Sequence, residues 1–131
     1  MKKNHIPNIN QRRILILTLI FSATIVGYIS SCKKIDLTRI AVITTEPVGN
    51  VTATSATANG NIIDLGNSII EHGFCWTTSG SPTINDYIAS AGGTSSTGDF
   101  NLTISNLQQN TGYSIKSFIV DDNGVTYGNT E

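Results

Sequence analysis

Two thiols, one histidine beyond the first 31 residues, a short acidic run and a handful of aromatics are the groups in this chain that could do chemistry. Cys32 follows Ile29-Ser30-Ser31, and Cys75 sits inside Gly73-Phe-Cys-Trp-Thr-Thr78. His72 stands beside Glu71, but with no second histidine or suitable cysteine it falls short of the usual metal ligand count, so it is expected as an exposed strand residue. Strand parity puts His72 and Cys75 on opposite faces, which leaves the Cys75 thiol without a base and makes it a small buried filler. Gly92 to Gly98 has the glycines of a phosphate cradle but neither the strand-to-helix step nor a Lys-Ser or Lys-Thr, and is expected as a mobile connection. Asp121-Asp122-Asn123 offers three adjacent oxygens without the glycine-containing twelve-residue spacing of a calcium loop, and its types suit a hairpin turn. Catalytic residues, metal and cofactor are therefore all expected to be absent. Exposed aromatics can stack on sugar rings or anchor a protein partner. Trp76 alternates with Phe74 and is assigned to the core, whereas Tyr87 and Tyr127 have no face assigned by the sequence.

The elements that must hold these groups are strands. From residue 32 onward the chain has 15 Thr, 10 Ser, 10 Asn and 11 Gly, a composition that suits short strands and turns and starves helices. Period-two alternation marks the runs. Ile40 to Glu46 is a first strand ended by Pro47; Thr54 to Ile63 a second, with Ala56, Ala58, Gly60 and Ile62 on one face; Ile69 to Thr78 a third. Asp86 to Ser90 is a short edge strand. Phe100, Leu102 and Ile104 interleave with Asn101, Thr103 and Ser105, and Leu107 closes that stretch. Gly112 to Val120 places Tyr113, Ile115, Ser117 and Ile119 on one face, Asp122-Asn-Gly124 is a hairpin signal, and a last strand opens at Val125-Thr-Tyr127. Short strands at this spacing predict an all-β, immunoglobulin-like β-sandwich over residues 40–131. From residue 32 onward there are four basic residues against nine acidic ones, which argues against nucleic acid as a partner.

The amino-terminal part reads as an address. Residues 1–31 hold four cations and no acid, and the 17 residues from Ile14 to Ser30 are uncharged with 12 of them apolar, the order of a secretory signal. As a hydrophobic helix this segment would span about 25 Å, short of the roughly 30 Å of a bilayer core. Ile29-Ser30-Ser31-Cys32 resembles the lipobox of bacterial lipoproteins. The resemblance implies cleavage before Cys32, a diacylglyceryl group on its sulfur and an acylated amino terminus, palmitate being among the acyl chains. Residues 1–31 would then be a lipoprotein signal peptide and 32–39 a lipidated tether, with the protein attached to the outer membrane of the cell envelope by that lipid. With Cys32 lipidated, no intramolecular disulfide is left to form. Lys33-Lys34 departs from the acidic cluster that often follows the cysteine in Bacteroidota surface lipoproteins, so surface and periplasmic facing both stay open.

Leu107-Gln-Gln-Asn-Thr-Gly-Tyr113 and the alternating strand after it resemble a fibronectin type III domain, in which a leucine, a short turn and a tyrosine open the sixth strand. The resemblance gives Tyr113 the corner role, its hydroxyl bonded back to the backbone. The string Ile43-Thr-Thr, Thr54-Ser-Ala-Thr, Gly73-Phe-Cys-Trp-Thr-Thr, Pro82-Thr-Ile, Gly98-Asp-Phe and Gly124-Val-Thr-Tyr-Gly-Asn129 is similar to fibronectin-like repeats of Bacteroidota surface lipoproteins. Those repeats continue for several apolar residues past Tyr-Gly-Asn, which implies either a piece of a longer protein or a truncated last strand beside an unpaired edge. The expected function is a non-catalytic, lipid-anchored spacer or protein-interaction module, with strand pairing at the open edge. The alternatives are a carbohydrate-binding domain for glycan capture, marked by two or more exposed coplanar aromatics, and a fragment of a larger surface protein or enzyme.

Overall fold

The computed structural model describes residues 37–131. The amino-terminal signal, Ile29-Ser30-Ser31-Cys32 and the first part of the tether lie outside the described residues. Seven strands follow in order: β1 (Ala41–Gly49), β2 (Ser55–Leu65), β3 (Ile69–Thr77), β4 (Tyr87–Thr94), β5 (Gly98–Ser105), β6 (Ser114–Asp121) and β7 (Gly124–Tyr127). They form two antiparallel sheets, three-stranded β1-β2-β5 and four-stranded β4-β3-β6-β7, stacked as a two-layer β-sandwich. No helix occurs among the described residues.

Side-chain size explains how closely the layers approach. In β2 the inward positions are Ala56, Ala58 and Gly60, and the register sets them beside Ile104, Leu102 and Phe100 of β5, small against large at each step. A Cβ on Gly60 would lie 2.8 Å from the Phe100 ring, so that ring occupies the space glycine leaves. Phe74, Trp76 and Ile115 of the other sheet join Ala56, Ala58 and Ile104 in one core cluster. A second cluster joins Ala41, Ile43, Ile62, Ile69 and Ile119, and Phe100 packs against both.

Four sequence expectations are corrected. Pro47 does not end β1, which runs on to Gly49 through a register break. β1 lies at a sheet edge, where the missing proline donor leaves no ladder bond unmade. Gly92 and Gly93 are not a loose connection but belong to β4, Gly92 adopting φ 77° at a break in its pairing with β3. His72 is not exposed: it is 6% accessible. Its Nδ1 lies 2.6 Å from the Gly92 carbonyl, and its ring meets Phe100 edge-on at 4.8 Å. Finally, the strand beside the short β7 is not left bare, because Gly128 N–H donates to the Ser117 carbonyl and Glu131 and Ile115 exchange two backbone bonds.

Candidate functional site

Tyr113 sits just ahead of β6, and its hydroxyl accepts the Gln108 N–H at 3.0 Å, five residues upstream. Leu107 is half-buried against the first core cluster and donates its N–H to the Thr54 carbonyl at 3.0 Å. Together these bonds fold the β5–β6 connection onto the start of β2. Trp76 is buried at 7% accessibility, with the Tyr87 ring 6.1 Å away and inclined by only 21°. Tyr87 itself is 65% exposed. Tyr127 takes a different part: on the outer face of the four-stranded sheet its hydroxyl accepts the Ile84 N–H at 3.1 Å.

Beside it, Lys116 Nζ donates to Ser81 Oγ at 2.6 Å and lies 5.8 Å from the Tyr127 ring centre. The β3–β4 connection, with Pro82 fully buried, is thereby held over that face. Cys75 is directly opposite Lys116 in the ladder and wholly inaccessible. Burial pushes its thiol up to about 11, against a smaller downward pull from Lys116. A thiol held protonated and out of reach is neither nucleophile nor ligand at neutral pH. Both carboxylate oxygens of Asp121 are used within its own turn, Oδ1 accepting Asn123 N–H at 2.7 Å and Oδ2 the Asn123 amide at 3.3 Å. Among the described residues no three His, Cys, Asp or Glu side chains converge as a metal site would require.

One polar cluster escaped the sequence reading. Thr45 is inward-facing in β1 and 4% accessible. Its hydroxyl donates to the Asn129 carbonyl at 2.6 Å and accepts the Ser117 N–H at 2.9 Å, while its own N–H donates to Asn129 Oδ1 at 2.9 Å. The single hydroxyl hydrogen of Thr45 is committed to Asn129, so Ser117 Oγ, 3.1 Å away, must be the donor in that contact. Gly128 makes room for this clasp, since a Cβ there would lie 2.8 Å from Thr45 N. The only local signal was a polar residue at a core-facing parity; its partner lies 84 positions away.

Two clefts flank the Tyr113 corner. One, of about 790 Å³, opens at the end of the sandwich between Pro47–Ala53 and the β5–β6 connection. The other, of about 540 Å³, opens along the side between β4 and β5, lined by Trp76, Tyr87, Ala89, Thr103, Ser105 and Tyr113 among others. No charged side chain lines this lateral cleft. Tyr87 is the one exposed aromatic among the described residues, so the paired exposed platform expected of a glycan binder is not formed.

The two sheets with this strand order define a fibronectin type III-like β-sandwich. Among solved structures, the chain is similar to a fibronectin type III domain of human collagen XX, at TM-score 0.50 and 16% identity, covering 76% of this chain and 96% of that one. It is also similar to the sensor domain of the anti-sigma factor RsgI4 from Pseudobacteroides cellulosolvens, at TM-score 0.51 and 19% identity, covering 69% of this chain and 89% of that one. At these identities the likeness is one of fold. No protein-family model and no curated protein matches the chain.

Proposed function

We propose that the chain is a non-catalytic, lipid-anchored protein of the bacterial cell envelope, held at the outer membrane through Cys32, with its β-sandwich acting as a spacer or a protein-interaction or adhesion module. The observation that carries this reading is the order of residues before the sandwich: four cations, an uncharged apolar run, then Ile29-Ser30-Ser31-Cys32, ending nine residues ahead of β1. Nine residues reach about 30 Å when extended, enough to clear lipid head groups. Two acyl chains give stable attachment without a span. The protected Cys75 thiol and the turn-bound Asp121 support the non-catalytic part, because the reactive side-chain types serve packing and turns. So does the company of the fold, a collagen fibronectin domain and a sensor domain.

Intact-mass analysis of the membrane form beside Cys32→Ser tests the anchor. The wild type is expected to begin at Cys32 with added acyl mass, and the variant to lack it. An unmodified amino terminus, or residues 1–31 still attached, would overturn the reading.

A further inference from the structure

Sheet edges are templates for other strands, and proteins guard them with charge, proline, bulges or shortness. The sandwich has four edge strands, and three carry guards. β1 has Glu46, Pro47 and two register breaks. β7 has four residues, and β5 carries Asp99 near its start. β4 is different: its eight residues, Tyr-Ile-Ala-Ser-Ala-Gly-Gly-Thr, include neither charge nor proline. Its second half is bent at Gly92, but Tyr87 to Ser90 pair in unbroken register with Trp76 to Gly73, so this half is a regular ladder with one side vacant. Tyr87 and Ile88 stand 65% and 47% exposed there. The lateral cleft opens along the same segment, lined by Tyr87, Ile88 and Ala89 from this edge.

We propose that the Tyr87–Ser90 half of β4 is an interface, and that its occupant is the same segment of a second copy of this chain, paired antiparallel. Absence of charge is what favours the second copy. In an isologous edge a charged residue on the two-fold axis would face its own copy and one near the axis would lie close to it, and β4 carries no charge to do either, whichever of its residues the axis meets. A two-fold axis perpendicular to the sheet sets residues of equal parity opposite each other, so the sheets of the two copies run on as one. Tyr87 and Ala89 lie across from Trp76 and Phe74, on the inward side. In the pair, the same side chains of the partner copy lie along the mouth of the lateral cleft, and the exposed apolar surface of both edges leaves water. The inference goes beyond the anchoring reading and does not depend on it.

The test is sedimentation velocity of the full chain in density-matched detergent at two concentrations, for wild type and for Ile88→Lys/Ser90→Lys. Both substituted positions are exposed, and the double change puts lysine against lysine whether the axis falls at residue 88, 89 or 90. The wild type is expected to show a concentration-dependent dimer. The variant is expected to lose it by at least about tenfold in association constant, a loss of about 1.4 kcal/mol, with its far-UV circular dichroism unchanged. Wild-type monomer at both concentrations, or a dimer that survives the two lysines, overturns the proposal. Oxidation of Ile88→Cys, Ala89→Cys and Ser90→Cys, taken singly in a Cys32→Ser background, does not require the charged variant to fold. At least one should yield a dimer that reductant splits, and none doing so is again fatal to the proposal.

Discussion

Thr45 shows how much one hydroxyl can organise. It satisfies the buried Ser117 N–H across the two sheets and ties the carbonyl of exposed Asn129 to the same hydroxyl. Thr45→Val keeps the shape and removes these bonds and the one from Ser117 Oγ, leaving the N–H and hydroxyl of fully buried Ser117 without that partner. The expected loss is about 2–4 kcal/mol, read as a drop in urea midpoint with unchanged slope. Cys75 answers to pH instead. Its thiol is raised from 9.0 to about 11 by burial, so the native state prefers the protonated form. The associated stability is complete below the unfolded value and is lost as pH climbs through the folded one. Urea midpoints are expected to fall as pH rises from about 9 to about 11, with Cys75→Ala less stable at pH 8 but flatter in pH. At the amino-terminal entry, Asp64 accepts Gly66 N–H at 2.8 Å and pairs with Arg39 at 2.7 Å, and these two contacts, in that order, hold its carboxyl below the ordinary range.

At the scale of elements, the β3–β4 connection acts as a cover on the outer face of the four-stranded sheet. Tyr127→Phe removes the acceptor for the Ile84 N–H, at an expected cost of about 1 kcal/mol. If the connection shields the thiol, Cys75 in a Cys32→Ser background should react faster with a thiol reagent in this variant, and equal rates would show that the hydroxyl does not hold the cover down. The strands that were legible in sequence are those with one wet and one dry face. β5 and β6 alternate and are found within a residue or two of their expected limits. The inward set of β2 likewise follows its small-residue parity. β4 was drawn too short because nearly all its residues are exposed, which leaves no alternation to read; its extended form comes from pairing with β3. His72 failed for the opposite reason. Its parity matched Phe74 and Trp76, but the Gly92 carbonyl that lets a polar ring be buried lies 20 positions away. The clasp was invisible because Thr45 and Ser117 have no reason to be polar until the sheets are stacked, and exposed Asn129 gives no sign of what it holds.

For the whole molecule, antiparallel register separates the two ends of the described chain. Ala41 pairs with Leu65 at one end of the sandwich, beside the Asp121–Gly124 turn, whereas Glu131 pairs with Ile115 at the other, near the Tyr113 corner. If Cys32 is anchored, the Leu65–Ser68 and Asp121–Gly124 turns face the bilayer when the body stands upright, and the larger end cleft faces away. An antiparallel pair through β4 would reverse one sandwich relative to the other.

Opposite ends also determine how the body would answer a mechanical load. Tension applied at Leu37 and at Glu131 draws β1 and the final residues along their lengths, in contrary directions, and the bonds from Thr45 to Asn129 lie across that line of sliding. Bonds so arranged share the load together instead of opening one by one like a zipper.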